Sequence, residues 1–171
     1  MELMVVIAII GVVSAITLPA LINPQNKSNK AARELMADIH KTRMGAIKSN
    51  QDWALVFDPV ANAYYICSDP GADGVWSTVT GSNSVKKTIR FTGYAAGIRY
   101  GSGGSTTNAN IGGGAFPADF VSYNSNVLTF NPRGTCPAGY VYISYGDASY
   151  AIGTLSTGLV RLKIWSNGAW R

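Results

Sequence analysis

Residues Leu3 to Ile22 read LMVVIAIIGVVSAITLPALI, twenty consecutive positions without a charge. At about 1.5 Å per helical residue, such a run spans roughly 30 Å, the thickness of the hydrocarbon layer of a membrane. Its flank is unusual. The only charge beside it is Glu2, whereas a secretory signal peptide has a basic start, a shorter apolar stretch and a small-residue cleavage site. A carboxylate suits the positive end of a helix dipole but is costly inside lipid or an apolar bundle, so Glu2 needs a cationic partner. The first Lys or Arg after it is Lys27, about 37 Å up a straight helix, so no basic side chain of the same helix reaches it. Gly11 and Pro19 interrupt the run. Gly adds backbone freedom, and Pro removes the donor for the Ala15 carbonyl, so the helix is expected to open between residues 11 and 19 when stretched during assembly.

Beyond Asn23-Pro24-Gln25-Asn26, apolar positions recur by threes and fours at Ala32, Leu35, Met36, Ile39, Ala46 and Ile47, with Arg43 on the same face and Lys30, Glu34, Lys41 and Lys48 elsewhere on the wheel. The spacing predicts an amphipathic helix from Ser28, as N-cap, to Ser49, ended by Asn50-Gln51-Asp52. After Asp52 the pattern changes to short β-branched and aromatic runs at 53–57, 63–68, 85–91, 127–130, 140–145, 149–155 and 159–165. Turns are expected at Asp58-Pro59, Asp69-Pro70-Gly71, Gly146-Asp147 and Thr157-Gly158, the last two making an antiparallel meander of the final strands. The fold class is α+β: one long N-terminal helix, then an antiparallel, β-sandwich-like head. The expected organisation is an apolar membrane or filament-core helix at 1–26, an amphipathic helix packed on the head at 27–50, and the head itself at 51–171.

The string ELMVVIAIIGVVSAITLP, with Glu2, Gly11 and Pro19 at matching spacing, resembles the N-terminal helix of type IV pilins and type II secretion pseudopilins. The family's glutamate is the fifth residue after leader removal, whereas only Met1 precedes Glu2 here, so leader cleavage and N-terminal methylation are not readable from this start. The stretch from Leu128 to Trp165, strands alternating with glycine turns, is similar to the ending of the GspH/FimT-like branch. The resemblance implies a non-enzymatic, cofactor-free subunit of a pilus-like filament. Such a chain waits in the inner membrane as a single-pass protein, is extracted by an assembly machinery, and joins copies of itself in a cell-surface helical fibre. Glu2, Gly11 and Pro19 are then the assembly residues, and the partner of Glu2 is the N-terminal amine of its own or an adjacent subunit. Two further expectations are a minor pseudopilin of a type II secretion system and a DNA-binding minor pilin of natural transformation. An exported head meets an oxidising compartment, so Cys67 and Cys136 are expected to form a disulfide closing about seventy residues, worth roughly 4 kcal/mol; the alternative is two separate buried thiols.

The remaining chemistry is sparse. Charged residues are 13% of the 171, and one His with two Cys excludes an ordinary structural zinc site; no CxxC or HExxH spacing occurs. His40 has no Ser or Cys in an elbow-like setting, and the glycines of GSGGS and IGGGA match neither a dinucleotide nor a Walker loop. Asp69 and Asp73 share a tight turn that suggests calcium only weakly, because the alternating ligands and closing Glu of an EF-hand are lacking. The net charge of +5 divides into −1 up to Asn83 and +6 from Ser84 onward. Lys86, Lys87, Arg90, Arg161, Lys163 and Arg171 are therefore candidates for contact with a polyanion such as nucleic acid, although their scatter also suits a solvated surface. Tyr100 to Gly114, YGSGGSTTNANIGGG, reads as a long flexible loop: a surface insertion, a glycosylated patch, an adhesive tip or a segment ordered only by a neighbour.

Overall fold

The computed structural model describes residues 4–7, 9–12, 24–77 and 83–171. Residues 4–7 and 9–12 are helical. Helix α1 runs Pro24–Ser49. It starts one turn earlier than the sequence spacing predicts, because Pro24 has the fixed φ suited to a first helical position. Ser28 is consequently inside the helix rather than its N-cap; it is buried, with its hydroxyl 3.3 Å from that of Tyr150. The helix stops at Asn50, whose φ of 53° is the left-handed conformation common just past helix ends.

The strands are β1 (Trp53–Asp58), β2 (Ala63–Cys67), β3 (Val85–Arg90), β4 (Arg99–Tyr100), β5 (Val127–Phe130), β6 (Gly139–Tyr145), β7 (Ala148–Thr154), β8 (Val160–Ser166) and β9 (Ala169–Trp170). They form two antiparallel sheets, ordered β3-β2-β1-β5 and β4-β6-β7-β8-β9, with β3 an edge strand of the first. All seven strands expected from the sequence are present; β4 and β9, two residues each, are additional.

Both sheets and α1 share one core. Ala31, Ala32, Leu35, Ile39 and Ala46 enter it from the helix, Leu55, Phe57, Tyr64, Ile66, Leu128 and Phe130 from the first sheet, and Val141, Ile143, Tyr150 and Ile152 from the second. Full burial of a side chain such as Leu35 or Ile39 is worth about 1.5–3 kcal/mol, so this face holds the helix to the head. Gly45 sets how closely they meet: a Cβ there would lie 2.7 Å from the Trp53 ring, so the indole rests on bare helix backbone. On the opposite side, Arg43 donates to the carbonyls of Gly134 (3.0 Å) and Thr157 (3.4 Å) and ties the loops before β6 and β8 to α1.

The Tyr100–Gly114 segment corrects the flexible-loop expectation. Beyond Tyr100, which belongs to β4, it packs on the outer face of the second sheet, where Ala109 joins Tyr140, Tyr142 and Ala151 in a separate small core. The Ala109 N–H donates to the Tyr142 hydroxyl (2.9 Å), Lys163 Nζ donates to the Ala109 carbonyl (2.9 Å), and Trp170 Nε1 donates to the Thr107 carbonyl (2.8 Å). A chain rich in Gly, Ser and Asn is held because distant side chains satisfy its backbone.

Candidate assembly interface

The described N-terminal residues are apolar on every side. Met4, Val5, Val6, Ile7, Ile9, Ile10 and Val12 are all more than half exposed, and a Cβ on Gly11 would meet nothing within 4 Å. A helix that is hydrophobic all round is one that lipid or other protein covers. Among the described residues no helix is long and apolar enough to cross a membrane, and Glu2 and Pro19 lie outside them, as does most of the stretch expected to open.

Where α1 meets the head, an ionic cluster fixes its rotation. Asp38, buried at 6% side-chain exposure, accepts the Tyr64 hydroxyl (2.8 Å) and Lys87 Nζ (2.9 Å), and Lys87 also reaches Glu34 Oε1 at 3.2 Å. Burial pushes the Glu34 carboxyl up, but hydrogen bonds from Tyr94 and Lys87 outweigh it and leave its pKa below the ordinary value. Burial likewise works against the Lys87 ammonium, and the carboxylates of Asp38 and Glu34 overcome it, so its pKa is raised. The Tyr64 hydroxyl is driven far up by burial and the adjacent Asp38. The arrangement turns both carboxylates of the helix towards Lys87 on β3.

The basic residues considered for a polyanion are placed differently from one another. Lys87 faces α1 rather than solvent, and Lys163 is committed to Ala109 and to the Tyr140 ring, 5.6 Å away. Lys86 and Arg90 on β3, Arg161 on β8 and Arg171 are exposed, but on strands of different sheets and at the chain end. The six do not form one basic patch. His40 is exposed on α1. Asp69 and Asp73 each accept a backbone N–H of their own turn, from Gly71 (2.6 Å) and Val75 (3.1 Å), and no group of three or more His, Cys, Asp or Glu that could hold a metal occurs among the described residues.

The expected disulfide is not formed: Cys67 and Cys136 are free thiols. Alternation along β2 sends Tyr64 and Ile66 into the shared core and Cys67 to the other face, whereas Cys136 packs against that core from the loop before β6. The sheet separates them. Burial pushes the Cys67 thiol up to about 11 and raises that of Cys136 as well. Sequence reasoning missed the Asp38–Lys87 pair; a lysine on a strand flanked by other cations gave no sign of its partner 49 residues away.

The profile of the family described as Type II transport protein GspH matches residues 31–158, from the second turn of α1 to the turn before β8. No curated protein matches the chain. Among solved structures, the chain is similar to the type IV minor pilin FimU of Pseudomonas aeruginosa PAO1, at 14% identity and a TM-score of 0.54, covering 86% of this chain and 94% of that one. It is also similar to the minor pseudopilin EpsH of the Vibrio cholerae Type 2 Secretion System, in two structures at 14% and 15% identity, each with a TM-score of 0.50. These cover 80% and 82% of this chain and 95% of EpsH in both. The exposed apolar helix, the head built on α1 and the profile match agree: the chain belongs to the GspH family of the type IV pilin and pseudopilin superfamily.

Proposed function

We propose that this chain is a structural subunit of a type IV pilus-like filament. Residues 1–26 form the membrane and filament-core helix, 27–50 the helix that carries the head, and 51–171 the head outside the cytoplasm. The observation that carries the reading is the apolar exposure at residues 4–7 and 9–12, which nothing among the described residues covers. In the inner membrane lipid covers this surface, and in the fibre neighbouring helices do, so the same residues serve both stages. Glu2 supplies registration: a carboxylate in an apolar bundle costs several kcal/mol unless paired, and the N-terminal amine of an adjacent subunit is the partner proposed.

The family match favours a second reading, in which the chain is a minor pseudopilin of a type II secretion system rather than the body of a long fibre. Replacing Glu2→Gln keeps shape and removes charge. Filament yield, subunit-identified electron microscopy and membrane fractionation of wild type and variant test the proposal. The expected result is lost incorporation with the chain still in the membrane and the head folded. Unchanged incorporation removes the pairing, and wild-type chain absent from every filament overturns the subunit reading. Long fibres made mainly of this chain favour the first reading, and a secretion defect on deletion without long fibres favours the second.

A further inference from the structure

Arg161 and Lys163 stand two residues apart on β8, so strand alternation puts both on the outer face of the second sheet, about 6.6 Å from each other along the strand. Here they border a cleft of about 430 Å³ that filament assembly leaves unused. The register sets Tyr140, Gly153 and Arg161 side by side across β6, β7 and β8. A Cβ on Gly153 would lie 2.5 Å from Tyr140 Cδ1, so the phenol ring rests where that side chain is missing, between its own strand and Arg161. The segment from Ala109 to Ile111 makes another wall. It is pinned, because the Ala109 N–H donates to the Tyr142 hydroxyl and Lys163 Nζ donates to the Ala109 carbonyl. Hydrogen bonds within the head thus shape the cleft in advance, as is usual for ligand sites.

The lining carries two cations and no carboxylate. Arg161 is exposed, and among the described residues its guanidinium has no hydrogen-bond or ion-pair partner. Lys163 spends one of its three N–H bonds on Ala109 and stands 5.6 Å from the centre of the Tyr140 ring, which leaves two donors. Ser122, also in the lining, accepts the Tyr140 N–H at 2.7 Å, so its own hydroxyl hydrogen can still be donated. Fully exposed Ile111 forms an apolar rim.

These features select among anions. A nucleic acid needs a track of cations, and the other basic candidates lie elsewhere on the molecule. Base stacking needs an open aromatic face, whereas Tyr140 is buried with Lys163 over its ring. A single Asp or Glu side chain of another protein would leave most of the cleft unfilled, and its size is in the range of small-ligand sites, about 300–1,000 Å³. The complement is a small molecule with an anionic group, several hydroxyls and a partly apolar face.

We propose that this cleft binds an acidic saccharide unit, with its carboxylate on the Arg161 fork and the Lys163 ammonium, its hydroxyls on Ser122 and Asn110, and its C–H face on Ile111 and Leu155. The site lies wholly on the head, so it stands whether or not the chain enters a filament.

Saturation-transfer NMR titrations of the full chain in detergent test it, with methyl glucuronoside, methyl glucoside, acetate and inorganic phosphate as probes. The glucuronoside is expected to bind at least about tenfold more tightly than the other three, and less tightly as salt is raised. Arg161→Gln and Ile111→Glu should each weaken it by at least about tenfold, while Arg161→Lys, which keeps the charge and loses the planar fork, should recover only part. Both positions are exposed, so near-UV circular dichroism should match wild type for every variant. No glucuronoside binding, equal binding of the glucoside, or binding that survives Arg161→Gln in a folded head overturns the site. Acetate or phosphate bound as tightly as the glucuronoside overturns the saccharide assignment. An oligonucleotide that displaces the glucuronoside with affinity rising with its length does the same. None of these outcomes bears on the filament reading, which the Glu2→Gln experiment decides.

Discussion

Replacing Lys87→Met tests whether the ionic cluster under α1 holds the helix to the head. The substitution keeps most of the aliphatic stem and removes the ammonium that lies 2.9 Å from Asp38 and 3.2 Å from Glu34. Asp38, at 6% exposure, is left with the Tyr64 hydroxyl alone among these partners. Removing one partner of a fully buried ion pair costs about 3–5 kcal/mol, but Lys87 is 35% exposed and water offsets part of that loss, so about 2 kcal/mol is expected here. For a chain of this size, that lowers Tm by about 4–8 °C. The assay is thermal unfolding followed by near-UV circular dichroism in detergent, for wild type, Lys87→Met, Asp38→Asn and the double variant. Once Asp38 is neutral, the lysine has less to hold, so the double variant should recover about 1 kcal/mol relative to the sum of the singles. A Tm within about 1 °C of wild type for Lys87→Met, or strict additivity, would refute the reasoning.

The same cluster gives a pH signature. Glu34 is held below its ordinary 4.5, so its contribution is present above that value and lost as pH falls through the lowered one; Lys87 is raised above 10.5, so its contribution is present below 10.5 and lost as pH rises through the raised one. The Tm difference between wild type and Lys87→Met should therefore be widest between these limits and narrow on both sides, and a pH-independent difference would contradict the assignment. Gly45→Ala places a methyl 2.7 Å from the Trp53 ring, so despite a helix-propensity gain of about 1 kcal/mol it should destabilise the chain by about 1–2 kcal/mol and shift Trp fluorescence; a rise in Tm would show that the indole moves away freely. Thiol titration of unfolded, unreduced protein should give two free thiols, and Cys67, its thiol pushed up to about 11, should react slowly at neutral pH while folded; a count of zero would mean the two cysteines are bridged.

What could be read from the sequence was what repeats at short range. Leu128 and Phe130 alternate with half-buried neighbours, and the strand they mark is legible because a two-residue period shows within four to seven residues. Arg99-Tyr100 and Ala169-Trp170 are too short to show any period, so β4 and β9 were invisible. The loop before β5 is illegible for a different reason. Its composition is that of a flexible linker, but Tyr142, Lys163 and Trp170, which satisfy its backbone, come from strands 33 to 63 residues later. Glu34 reads as part of the polar side of the helix for the same reason, since Lys87 arrives only when β3 is in place. The apolar stretch after Glu2 was the opposite case, because a continuous uncharged run needs no tertiary context to be recognised.

The edge position of β3 bears on how such a chain survives at high concentration. An unpaired strand edge is a template for further strands, and the more concentrated the chain, the more often two such edges meet. Exposed Lys86 and Arg90 on β3, with Lys87 between them, make a second β3 laid alongside electrostatically unfavourable. The strand thereby discourages runaway sheet growth between neighbouring heads.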